Sequence, residues 1–165
     1  MPVATKAVVK LADEIWIATA LLHQENPLAQ DFSIEDICER VREEAICGQP
    51  RPGVYPHVVH HAVANRHPSP NRPRILFETA EGRRRLFHKG DPYHPEREGA
   101  KTKPEPEDLP ARYWGLLTWF RGWEEDRIKD AIKNDPLLKL KGSGAHLWAD
   151  ESPDEYVNRL REGWE

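Results

Sequence analysis

Proline restricts this chain more than any other residue. Fifteen of the 165 residues are proline, and a proline inside a helix removes a hydrogen bond and clashes with the preceding turn. Helices must therefore lie between the prolines or carry one only in their first turn. Residues 6–23 make the first: Val8, Val9, Ala12, Ile15, Trp16, Thr19 and Leu22 recur at three and four, which predicts one core-facing stripe. Glu25-Asn26-Pro27 ends it, because a residue before proline avoids the helical region. A second helix is predicted from Ser33, with Asp36 three residues later as a shortened capping box and Ile34, Ile37, Cys38 and Val41 as its inner face. Gly48, Pro50, Pro52 and Gly53 form a turn, and a third helix runs from about Val54 to Asn65.

The HPSPNRP stretch is a loop. RILFETA (Arg74 to Ala80) and RRRLFH (Arg83 to His88) then predict a β-hairpin around Glu81-Gly82. Residues 91–110, together with Lys89 and Gly90, hold five prolines and many charges, which predicts an irregular segment laid over the surface or serving as a linker. Residues 111–133 return to helix through Tyr113, Leu117, Phe120, Ile128 and Ile132. The wheel angles of Trp114, Trp119 and Trp123 are spread, so an exposed tryptophan is expected, and its covering motivates a homodimer. A last short helix is predicted after Ser152, with Pro153 at its first position. The expected fold is mainly α with a small antiparallel hairpin, in three parts: 6–90, 91–110 and 111–165.

Several classes are excluded. No apolar run approaches the roughly 18 residues that span a bilayer. Asp13 and Glu14 interrupt any signal-peptide core, and the two cysteines, Cys38 and Cys47, build neither a disulfide scaffold nor a Cys-rich zinc finger, so a cytoplasmic setting is expected. The net charge of −4 is unevenly spread. Residues 51–90 carry eight Arg/Lys and two Asp/Glu, net +6, between flanks of −5 each.

The order helix, helix, turn, helix, basic hairpin resembles a winged helix-turn-helix domain over residues 6–90. That resemblance implies double-stranded DNA as partner, with the third helix in the major groove and the hairpin along the backbone, and hence a transcriptional regulator. On a helical wheel His57, His60, His61 and Ala64 share the face opposite Tyr55, Val59, Ala62 and Val63, with Asn65 at the edge. His57, His60, His61 and Asn65 are therefore the expected base contacts. Arg66, Arg72, Arg74, Arg83, Arg84 and Arg85 are the expected phosphate contacts, because arginine offers a planar fork to phosphate.

No GxGxxG, Walker loop, GxSxG or Cys–His pair is present, so neither an enzyme nor a cofactor is expected. His57 and His61 stand four apart, as helical metal ligands do, but HVVHH lacks the Glu of a metalloprotease motif, and a third ligand would have to come from His67, His88, His94 or a distant acid. The sequence is read as metal-free. The tail, LWADESPDEYVNRLREGWE, resembles the acidic C-terminal tails of type II antitoxins. By that resemblance Leu147, Trp148, Tyr156, Val157 and Leu160 would anchor a toxin-like protein partner. Packing of the tail on the chain's own core, or on a second copy, is the alternative.

Overall fold

The computed structural model describes residues 9–49, 51–70, 72–143 and 152–162. The chain divides into two compact units, one ending at Glu125 and the other beginning at Asp126. In the first, α1 (Leu11–Glu25) is the central helix. Ile15, Trp16, Ile17, Ala18 and Ala20 have no exposed surface, and Asp13, Glu14 and His23 are buried as well. The expected single stripe is thus too narrow, because α1 is enclosed on several sides. Strand β1 (Phe32–Ser33) follows and passes directly into α2 (Ile34–Glu44). The capping box forms as the sequence predicts. The Ser33 hydroxyl accepts from the Asp36 amide at 3.0 Å, and the Asp36 carboxylate accepts from the Ser33 amide at 3.0 Å. Ile34, Ile37, Cys38 and Val41 are buried, which places Cys38 in the core.

The third helix departs from its expected length. α3 covers Val54–Pro56 and continues as a π-turn over His57–His61, closed by the Ala62 amide donating to the His57 carbonyl at 2.9 Å. Residues 62–64 are drawn off by the sheet instead. The Ala64 amide donates to the Leu76 carbonyl at 2.7 Å, and the Leu76 amide donates to the Ala62 carbonyl at 2.9 Å. The wider turn also changes the inward face. Val54, Val58 and Ala62, spaced by four, are buried, whereas Tyr55 is 59% exposed.

Strands β2 (Leu76–Ala80) and β3 (Arg83–Leu86) form the predicted hairpin, somewhat shorter than expected. Gly82 turns it at φ 71°, a left-handed conformation that suits glycine. The sheet is three-stranded and antiparallel in the order β1-β3-β2, with Phe32 opposite Arg84 and Leu76 opposite Leu86. The connection through residues 89–110 belongs to the first unit and is no free linker. It makes 3-10 turns at Pro95–Arg97 and Pro106–Asp108 and buries Arg97 and Leu109.

Helix α4 (Trp114–Asn134) closes the first unit with its first three turns. Leu116 and Phe120 are buried, Phe120 meets Trp16 edge-on at 5.5 Å, and Trp119 and Trp123 pack partly against the core. Trp114 is 54% exposed, so the three tryptophans do not share a face. In the second unit α5 covers Pro136–Lys139 and α6 covers Pro153–Glu162. Among the described residues no helix is long and apolar enough to cross a membrane.

Candidate nucleic-acid interface

The hairpin and the third helix are one mechanical piece, and Arg84 joins them. Arg84 lies two residues before Leu86 on β3, and side chains two apart share a face of a strand. Leu86 faces the core, so Arg84 does too, and only 1% of it is exposed. Its Nε donates to the Val58 carbonyl at 3.2 Å, its Nη2 to the Val59 carbonyl at 3.1 Å, and its Nη1 to the Glu78 carboxylate at 3.0 Å. Burial pulls the Arg84 pKa below its ordinary value, and Glu78 works against that pull. Glu78 also receives both arms of Arg66 at 2.7 Å. The Arg66 fork, the leading influence, holds the Glu78 carboxyl below the usual carboxylate range.

Other expected contacts are similarly engaged. The Asn65 side chain imitates a strand neighbour. Its Nδ2 donates to the Glu78 carbonyl at 3.0 Å, and its Oδ1 accepts from the Glu78 amide at 2.9 Å. Arg85 makes two 2.7 Å bonds to Asp91 and lies over the Phe77 ring. Arg83 donates from Nε to Asp31 at 2.8 Å while keeping 44% of its side chain exposed. Burial alone would raise the Asp31 carboxyl, yet the Thr79 hydroxyl and Arg83 bring it below the ordinary value. Arg74 bonds the Ala100 carbonyl and lies 4.2 Å over the Tyr93 ring. Arg72 is exposed and makes one long contact, 3.5 Å, to the Glu96 carbonyl.

The histidines form a band in which His57, His60, His61 and His94 are half-buried and His67 is exposed. The His57 and His61 ring centres are 5.1 Å apart, those of His60 and His61 5.7 Å, and those of His67 and His94 4.9 Å. The Nδ1 of His57 bonds the Gly53 carbonyl at 2.8 Å. Burial, the largest influence, lowers the basicity of both His57 and His60, and His61 lowers it further.

Arg97 is the residue that the sequence does not mark. It has no exposed surface and, among the described residues, no carboxylate partner. All five of its N–H groups meet backbone carbonyls. Nε donates to Arg66 at 2.7 Å, Nη1 to His61 at 2.9 Å and Pro73 at 2.8 Å, and Nη2 to His60 at 3.2 Å and His67 at 3.4 Å. One guanidinium thereby pins the end of the third helix and the loop that follows it. The proline-rich character of its surroundings masks it, since an Arg in DPYHPER has no apolar pattern around it.

Tyr156, Val157 and Leu160 fall on α6 and are all exposed, while Leu147 and Trp148 lie outside the described residues. Comparison with protein-family models, with curated proteins and with solved structures gave no match.

Proposed function

We propose that the first unit is a winged-helix module that binds double-stranded DNA and serves in transcriptional regulation. The observation that carries this reading is the order α1, β1, α2, α3, β2, β3 with the hairpin fixed beside the third helix by Arg84. A helix and a hairpin held rigidly side by side suit simultaneous contact with a groove and its backbone. The contact set is smaller than the count of arginines. His57, His60 and His61 serve the groove, and Arg72, Arg74 and Arg83 serve phosphate. Asn65, Arg66, Arg84 and Arg85 shape the surface from beneath it.

The salt dependence of binding tests this. Each phosphate contact contributes about −0.9 to the slope of log K against log salt, so Arg72→Ala with Arg83→Ala should reduce the slope by about 2. Arg84→Ala should instead lower stability. Absence of salt-dependent duplex binding by the wild-type chain at low salt would remove the proposal.

A second reading, capture of a protein partner by the C-terminal part, is favoured by a separate observation. In the second unit no described residue is buried, and Ile132, Leu137, Leu138, Leu140, Tyr156, Val157 and Leu160 are all exposed. A ten-residue helix is too short to be stable alone in water and gains from an apolar partner. A chain ending at residue 143 should keep the thermal stability of the first unit and its DNA binding while losing any complex or dimer seen by size-exclusion chromatography. Unchanged assembly would dismiss this reading.

A further inference from the structure

His57 and His61 sit on the π-turn with ring centres 5.1 Å apart at an interplanar angle of 73°. Two imidazoles bound through nitrogen to one tetrahedral zinc, with Zn–N of about 2.0–2.1 Å, have ring centres about 5 Å apart. The spacing in the fold therefore matches that of a shared ion. The hydrogen bonding of His57 points the same way. The Gly53 carbonyl can only accept, so the Nδ1 of His57, 2.8 Å away, carries the proton. In the neutral ring this leaves the lone pair on Nε2. A ring N–H given to a backbone carbonyl is the arrangement that orients metal-binding histidines. The Nδ1 of His61 makes no hydrogen bond among the described residues, so none of them competes for that nitrogen, although it is shielded from water and the ring must turn outward to present it to a hydrated ion.

The neighbouring pair behaves differently. His67 and His94 are just as close, but the Nδ1 of His94 accepts from the Glu96 amide at 3.3 Å. Its neutral form must then hold the proton on Nε2, which leaves no free lone pair. His67 faces the Glu96 carboxylate at 3.5 Å. Closeness of rings is common to both pairs, whereas a lone pair left free on each ring belongs to the first.

We propose that His57 and His61 form a two-histidine clamp for a divalent transition-metal ion of the Zn²⁺, Ni²⁺ or Cu²⁺ class, with water completing the coordination. Imidazole ligands suit these ions and disfavour Mg²⁺ and Ca²⁺. The clamp goes beyond the DNA reading and does not depend on it.

The experiment is isothermal titration of the full-length chain, free of any affinity tag, with Ni²⁺ and separately with Cu²⁺. One ion per chain is expected, with Cu²⁺ bound more tightly than Ni²⁺. His57→Gln and His61→Gln should each weaken binding by about tenfold or more, while His94→Gln should leave it unchanged. Glutamine at 57 can still donate to the Gly53 carbonyl, and circular dichroism verifies that each variant is folded. Electron paramagnetic resonance of the Cu²⁺ complex gives a second readout, with coupling to two imidazole nitrogens in the wild type and one in either variant. The proposal is overturned by no saturable binding at millimolar metal. It is equally overturned by binding that survives both substitutions, or by binding that is lost in His94→Gln.

Discussion

Replacing Arg97 with methionine removes a cation and five donors while filling much of the same volume. Two effects oppose each other. A buried guanidinium without a carboxylate is costly to desolvate, so its removal relieves several kcal/mol. Against this, a hydrogen bond from a charged donor stabilises by about 1.5–3 kcal/mol, and a buried carbonyl left unpaired costs about 1–3 kcal/mol. Three of the five bonds are short: 2.7 Å to Arg66, 2.8 Å to Pro73 and 2.9 Å to His61. The other two carry less weight, since the His60 carbonyl also accepts from the Val63 amide and the His67 contact is 3.4 Å long. Three orphaned carbonyls, one at the end of the π-turn and two in the loop after it, outweigh the relief, and the expected loss is about 3 kcal/mol. Arg97→Lys separates charge from geometry. Lysine keeps the cation but offers three donors in no fixed plane, so it should fall between the wild type and methionine. Urea unfolding followed by tryptophan fluorescence measures this, because Trp16 is fully buried. With a urea m-value near 1.5 kcal/mol per molar, the midpoint of Arg97→Met should drop by about 2 M. A drop worth less than about 0.5 kcal/mol would mean that the five carbonyls find other partners without effort, and the reasoning would fail.

Three further outcomes are expected. Glu78→Gln leaves Arg84, only 1% exposed, as a buried charge without its counter-ion, and should cost about 3 kcal/mol in thermal or urea unfolding; loss of DNA affinity without loss of stability would contradict that role. Asn65→Ala removes both bonds to the Glu78 backbone and should lower stability by about 1–2 kcal/mol, whereas Asn65→Ala of unchanged stability but altered base preference would place Asn65 in the groove instead. Acidification should weaken the fold in a defined direction. Asp31, Glu78 and Asp108 are held below their ordinary values, so each contributes stability above about pH 4 that disappears as pH falls through its native pKa. Asp13 is held above its ordinary value by burial against the pull of Lys101, so it opposes that loss. Asp13 gains its proton in the native state above about pH 4, between its raised native pKa and the ordinary value, so Asp13→Asn should remove a rise in Tm on acidification through that range while leaving the decline below pH 4 in place; an unchanged Tm profile above pH 4 would reverse the assignment.

Helices and hairpin were legible because their signals are local. The Ser33–Asp36 box, the α2 face and the Gly82 turn each lie within a few residues and appear where the sequence places them. The length of the third helix was not legible. A wheel at 100° per residue assumes α-geometry, and the π-turn through His57–His61 breaks that assumption after Pro56. Strand β1 is two residues long, too short for any periodic signal, and it exists because β3 is there to pair with it. The burial of Arg84 was available in principle, because alternation from Leu86 puts every second residue of β3 on the core side.

The charge pattern shows where a linear count stops being physical. Net +6 over residues 51–90 treats each arginine as free, yet three of the carboxylates that answer them stand outside the window. Arg51 pairs with Glu14, Arg83 with Asp31 and Arg85 with Asp91, the last only one residue beyond the boundary. Adding those three acids reduces +6 to +3. The remainder corresponds to Arg72, Arg74 and Lys89, which make no ion pair among the described residues. An ion pair half in the core fixes two chain segments together, whereas an unpaired arginine at the surface is what a phosphate meets first. The basic third of the chain is thus two populations, one that builds the helix-and-hairpin piece and a smaller one left to face an anionic partner. The DNA reading therefore predicts a modest salt slope set by about three phosphates, at Arg72, Arg74 and the 44% exposed Arg83, which exchanges Asp31 for phosphate; a slope near six contacts would require the pairs of Arg66, Arg84 and Arg85 to open as well.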